Sequence, residues 1–165
     1  MIAPEFEKIL AVLAEAKVQF ILIGGVAGNL HGSARITYDL DVVYERSREN
    51  IQRLVAALLP HSPYLRGAPP GLPFTFDERT VRNGLNFTLT TKLGDFDLLG
   101  EVAGGGTYEP LLPFTQWVRE DGLEFLCVTL ERLIQLKRAA GRPKDFEAIA
   151  ELQAILEERK STGMR

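Results

Sequence analysis

Hydrophobic and polar positions follow two different periods along the 165-residue chain, and each switch between them marks an element. Pro4 leads into Phe6, Ile9, Leu10 and Leu13, whose three- and four-residue steps predict a helix with one buried stripe, ending near Lys17. Residues 18–23 are β-branched and aromatic without helical spacing, so they predict a buried strand that runs straight into Gly24 and Gly25. A short helix over 26–30 follows, closed by His31, Gly32 and Ser33. Leu40, Val42 and Val43 surround Asp39 and Asp41 in a second strand. Ser47 then caps a helix with Ile51, Leu54, Val55 and Leu58 on one face.

Residues 60–73 carry five prolines and two glycines and predict a loop, either mobile or facing substrate. Beyond it, Leu85, Phe87 and Leu89 alternate with Asn86, Thr88 and Thr90, the signature of a half-buried strand. Residues 92–95 would turn that strand into a hairpin partner over 96–99. Gly104, Gly105 and Gly106 read as a flexible loop, since no phosphate-loop lysine accompanies them. A second hairpin, 115–118 with 123–128, turns at Asp121 and Gly122. Thr129 caps a helix over 130–140 that Gly141 ends. Asp145 opens a last helix carrying Phe146, Ile149, Leu152, Ile155 and Leu156, with a frayed tail from Lys160. The pattern predicts an α+β fold, a small mixed or antiparallel sheet with helices packed on it and a C-terminal helical pair. We expect a single domain over 1–165, with 129–158 as its helical extension.

Composition narrows the functional classes. At 45% apolar residues the chain can build a core of one domain's size, yet no stretch approaches the roughly 18 apolar residues of a membrane span. The first residues lack a signal-peptide layout, so a soluble, cytoplasmic protein without membrane partners is expected. The single cysteine, Cys127, lies in an apolar run and predicts a buried core thiol rather than a disulfide or zinc site. A net charge of −3 argues against a surface for long duplex DNA. Arg132, Lys137, Arg138, Arg142 and Lys144 nevertheless form one local basic cluster.

The candidate chemistry lies in the glycines and aspartates. A strand that ends in two glycines can turn sharply into a helix whose free N–H groups face an anion. Two aspartates one residue apart on a strand share a side, so Asp39 and Asp41 are placed to hold a hard cation such as Mg²⁺ beside the phosphates contacted by Gly24 and Gly25. Asp97, inside an apolar strand, supplies a third carboxylate. Three converging carboxylates suit two metal ions roughly 3.5–4 Å apart, the arrangement that grips a nucleoside triphosphate and activates an acceptor hydroxyl. Asp39 and Asp41 would bind the ion on the triphosphate, and Asp97 would help hold the second and draw the acceptor's proton. Asp95 shares a face with Asp97 by strand parity; its predicted place at the turn favours Asp97 as the ligand.

These residues resemble the nucleotidyltransferase superfamily that includes DNA polymerase β, in its minimal bacterial branch. The resemblance is carried by residues 23–27, by His31 with Gly32, by 35–41 and by 94–100. Residues 133–145 look like the lysine-then-lysine-aspartate helix motif of nucleotidyltransferase toxins related to the AbiEii group. The resemblance implies Asp39, Asp41 and Asp97 as metal ligands, Gly24 and Gly25 at the triphosphate, and Lys137 reaching the phosphates with Asp145 orienting it or a nearby loop. Arg35 and Thr37, flanking the first aspartate, are candidates for phosphate contact. The implied activity is Mg²⁺-dependent transfer of a nucleoside monophosphate to tRNA, a protein or a small molecule, in a toxin with an antitoxin partner or a phage-defence protein. A catalytically idle nucleotide- or partner-binding protein and a metal-dependent phosphohydrolase are the alternatives.

Overall fold

The computed structural model describes residues 2–163. Among them, seven strands form one mixed sheet in the order β3-β4-β5-β2-β1-β7-β6. The strands are β1 (Phe20–Ile23), β2 (Leu40–Tyr44), β3 (Tyr64–Leu65), β4 (Phe87–Thr91), β5 (Gly94–Leu99), β6 (Thr115–Glu120) and β7 (Leu123–Val128). The helices are α1 (Pro4–Glu15), α2 (Gly24–Leu30), α3 (Arg48–Leu58), α4 (Glu78–Asn83), α5 (Tyr108–Leu111), α6 (Leu130–Ala140) and α7 (Pro143–Ser161). The β1–β7 and β2–β5 pairs are parallel and the other four antiparallel, so the expected α+β class with a mixed sheet holds.

The central strands β1 and β2 are buried almost throughout, which explains why both read as apolar runs. One contiguous core joins them to the stripes of α1 and α3 and to Leu133, Ile134 and Leu136 of α6. Asn50, fully buried, holds the start of β1 to the end of β2. Its Oδ1 accepts from the Gln19 N–H at 2.7 Å, and its Nδ2 donates to the Gln19 and Glu45 carbonyls. Ser47 caps α3 and Thr129 caps α6, each side chain accepting from a first-turn N–H. Cys127 is buried in β7, where desolvation pushes its thiol up to about 12 and leaves it inert near neutral pH. His31, at the end of α2, is also buried: Nε2 lies 2.8 Å from the Val128 carbonyl, and Arg159 donates to Nδ1 and to the His31 carbonyl. Nε2 must therefore carry the proton, and burial, with Arg159 adding to it, lowers the imidazole's pKa.

Several local expectations change. The proline-rich segment holds the two-residue edge strand β3, paired with β4. The turn between β4 and β5 is only Lys92 and Leu93, so Asp95 lies within β5. Gly104 and Gly105 pack against α6 instead of forming an open loop, since a Cβ on Gly104 would meet the Ala139 Cβ at 2.5 Å and one on Gly105 would meet Leu136 at 2.7 Å. Helix α7 begins at Pro143, two residues before Asp145, and continues to Ser161. Phe146 points away from the core, at 64% exposure, because the buried stripe of α7 is Asp145, Ala148, Ile149 and Leu152.

Candidate active site

Register brings the aspartates together. The last residue of β1, Ile23, pairs with Asp41, and Asp41 in turn pairs with Asp97 on the parallel neighbour β5. Asp39, one residue before β2, shares a face with Asp41 by strand parity. One carboxylate oxygen from each of Asp39, Asp41 and Asp97 lies within 4.8 Å of the others, and all three side chains are half-buried. Burial raises the Asp41 carboxyl well above the usual carboxylate range, and the charges of Asp39 and Asp97 with a hydrogen bond to Asp97 raise it further. Asp39 is raised by burial and then by Asp97, against the opposing charges of Arg66 and Lys144. Asp39 and Asp41, whose charged forms burial disfavours, form with Asp97 a site whose charge a cation would relieve.

Gly24 and Gly25 open α2 beside this cluster, and their lack of a side chain is required by it. Gly24 has φ +73°, and a Cβ there would sit 2.0 Å from Asp41 Oδ2. A Cβ on Gly25 would sit 2.7 Å from Thr37 Oγ1. The glycines thus let the carboxylate and the threonine lie directly on the backbone. Thr37 Oγ1 donates to the Asp39 carbonyl at 3.1 Å and so shapes the approach to β2.

A cleft of about 340 Å³ runs from these glycines past Arg35, Thr37 and the three aspartates to Lys137, Arg142 and Lys144. It brings together every site residue expected from the sequence. Lys137, on α6, is half-buried. Desolvation lowers its pKa, while the charges of Asp145 and Asp41 oppose that shift. Asp145 does not touch Lys137 by a recorded bond; it accepts from Arg142 Nε at 2.8 Å and from the Arg142 backbone N–H at 3.2 Å, closing the first turn of α7. Burial works against the Asp145 charge, but the hydrogen bonds from Arg142 hold its carboxyl below the usual range.

The segment leading to Asp39 is pinned by α7. Ser33 Oγ donates to Glu151 at 2.5 Å and the Ala34 N–H donates to its other oxygen at 3.1 Å; Arg35 pairs with the exposed Glu147 at 3.4 Å. The Ser33 hydrogen bond, above all, lowers the Glu151 pKa. A lowered folded-state pKa adds stability above the ordinary glutamate range that is lost as pH falls through the folded value. Glu151→Ala is therefore expected to lose about 1 kcal/mol of stability at pH 7 in urea denaturation and less at acid pH.

Arg66 is the contact that sequence reasoning missed. It follows β3 directly, and its guanidinium reaches Asp97 Oδ1 at 2.8 Å, Asp39 Oδ2 at 3.3 Å and Asp95 Oδ2 at 3.4 Å. A lone arginine in a proline-rich stretch carries no periodic signal, and only pairing of β3 with β4 shows where it points. A second cleft, of about 330 Å³, shares Gly24, Asp41, Asp97 and Lys137 with the first. Its far wall is apolar, with Leu99, Val102, Leu133 and Leu136, and the exposed Glu101 stands at its rim.

No protein-family model matches this sequence, and no curated protein is recognisably similar to it. Crystal structures that share its architecture include two of similar length. A candidate nucleotidyltransferase of Thermotoga maritima, TM1012, superposes with a TM-score of 0.57 at 20% identity, over 96% of this chain and 97% of that one. The lincosamide antibiotic adenylyltransferase LnuA, bound to lincomycin, superposes with a TM-score of 0.62 at 15% identity, over 93% of this chain and 98% of its own. The chain has the nucleotidyltransferase fold. Among the described residues no helix is long and apolar enough to cross a membrane.

Proposed function

We propose that this chain moves a nucleoside monophosphate from a nucleoside triphosphate to an acceptor hydroxyl and releases pyrophosphate. The observation that carries the reading is the convergence of Asp39, Asp41 and Asp97 between a cation-lined cleft and an apolar one. Their all-oxygen donor set, in which burial and neighbouring carboxylates raise the Asp41 carboxyl well above its ordinary range, fits hard divalent ions, Mg²⁺ first. Mg²⁺ there would neutralise triphosphate charge and make the acceptor hydroxyl more acidic.

The remaining roles belong to the chain. The first-turn N–H groups at Gly24 and Gly25, with Arg35, Thr37 and Lys137, would bind and orient the triphosphate in the first cleft. Asp97, which like Asp41 lines both clefts, would take the acceptor's proton while the phosphate is held on the other side. The second cleft has the size of a small-molecule site, so an acceptor of that class, as in LnuA with its lincosamide, is favoured over tRNA or protein. A toxin role with an antitoxin partner rests on the motif around Lys137 and differs in its acceptor.

Calorimetry with ATP, CTP, GTP and UTP tests the nucleotide half: binding with Mg²⁺ and none with chelator supports it, and metal-independent or absent binding contradicts it. Lys137→Met is expected to weaken nucleotide affinity about tenfold through loss of one charge-assisted contact. Because desolvation lowers the Lys137 pKa, affinity in the parent protein should fall as pH rises into a range below that of an ordinary lysine. Lys137→Arg, charged throughout, should abolish that alkaline limb; a limb that persists would remove Lys137 from the phosphate site.

A further inference from the structure

Among the described residues, Arg66 is the cation in direct ion-pair contact with the carboxylate cluster. It is also anchored to backbone, with one terminal nitrogen serving both the Leu89 carbonyl and Asp97. The Arg66 N–H donates to the Thr88 carbonyl at 3.0 Å, and Nε and a terminal nitrogen donate to the Leu89 carbonyl at 3.2 and 2.8 Å. The side chain therefore crosses β4 on backbone bonds, and its guanidinium pairs with Asp97 and Asp39 of the cluster and with Asp95 beside it. Its ion pairs leave out Asp41. The side chain is 25% exposed and stands at the edge of the cluster, free to exchange anionic partners without loss of the β3–β4 pairing.

The oxygens that Arg66 contacts belong to two of the three carboxylates a divalent ion needs. A guanidinium and a divalent cation on the same carboxylates repel each other and compete for the same lone pairs. A triphosphate reverses the balance, because it brings more negative charge than the ion brings positive and offers the planar guanidinium new acceptors. Resting on the nucleotidyltransferase reading above, we propose that Arg66 is an exchangeable counter-ion. It neutralises Asp39 and Asp97 against bare metal, and transfers its donors to phosphate oxygens when metal and triphosphate enter together. The residue thereby couples the two ligands: the site disfavours a free ion and favours the ion with its triphosphate.

The coupling predicts shifts of opposite sign, which loss of a structural contact would not give. Binding of Mn²⁺ alone, followed by paramagnetic resonance, and of Mn²⁺ with inorganic triphosphate, followed by calorimetry, would be compared in the parent protein, Arg66→Gln and Arg66→Lys. Arg66→Gln should bind free Mn²⁺ about tenfold more tightly and Mn²⁺–triphosphate about tenfold more weakly. Arg66→Lys, which keeps charge but lacks the fork, should shift both in the same opposed directions by less, and it carries the test should the glutamine variant fail to melt cooperatively. Affinities that move together, or that do not move, overturn the proposal while leaving the nucleotidyltransferase reading intact. A parent protein that binds neither probe contradicts both.

Discussion

Asp41→Asn is expected to abolish nucleotidyl transfer and, in the same protein, to raise the melting temperature of the metal-free fold. Asp41 is the half-buried central member of the cluster, beside Asp39 just before its own strand and Asp97 on β5. Burial, then Asp39 and Asp97, raise its carboxyl well above the ordinary aspartate value. In the unfolded chain that carboxyl ionises normally. A raised folded-state pKa means that the stability this group contributes is fully present below the unfolded pKa and is lost as pH rises through the folded one. At neutral pH the clustered charges therefore oppose folding, and Arg66 relieves only Asp39 and Asp97. Asparagine keeps the shape and can donate to Asp97 but carries no charge. We expect a gain of about 2–4 °C without metal. Activity should drop by about three orders of magnitude, since one metal ligand is worth several kcal/mol at the transition state. Mg²⁺ should raise the melting temperature of the parent protein and leave that of the variant unchanged. A variant that melts lower than the parent in chelator would show that Asp41 is not under electrostatic strain.

Gly24→Ala should damage both fold and activity. Its φ of +73° disfavours any Cβ, and the Cβ would fall 2.0 Å from Asp41 Oδ2, far inside contact distance. Backbone strain of this kind costs about 1–3 kcal/mol, and the carboxylate must also move. A displacement near 1 Å at a reacting centre can lower turnover by about a hundredfold. Denaturant melts and single-turnover kinetics on the same preparation separate the two effects. Gly25→Ala is the comparison: its φ is not positive and its neighbour is Thr37 at 2.7 Å, so Asp41 stays in place and the loss should be smaller. Full activity in Gly24→Ala would contradict the placement of Asp41 at the chemistry.

The central part of this site was legible because its residues lie on elements with strong periods. The apolar runs of β1 and β2 showed where Gly24, Gly25, Asp39 and Asp41 sit, and parity put the two aspartates on one side. The sequence favours Asp97 over Asp95 by placing Asp95 at the turn, whereas Asp95 lies within β5 and register is what separates the two. Both lie on one face of β5, but Asp97 pairs with Asp41, whereas Asp95 lies farther along and meets Arg66 Nε. Arg66 was invisible because a two-residue edge strand inside a proline-rich stretch leaves no alternation to read. Helices α4 and α5, of six and four residues, are too short for a helical stripe to register. Phe146 misled in the opposite direction: its spacing with Ile149 fits a buried face, yet the buried stripe of α7 runs through Asp145, Ala148, Ile149 and Leu152 and leaves Phe146 outside it.

The central claim is that Asp39, Asp41 and Asp97 serve transfer of a nucleotidyl group, and the position of one phosphorus atom tests it. The protein would be incubated with each α-phosphate-labelled nucleoside triphosphate, Mg²⁺ and a whole-cell extract separated into small-molecule, protein and RNA fractions. The account predicts that label from at least one nucleotide enters an acceptor, foremost in the small-molecule fraction, with one pyrophosphate released per transfer and no transfer by Asp41→Asn. Labelled nucleotide hydrolysed without any labelled acceptor, or bound tightly and returned unchanged from every fraction, would contradict it.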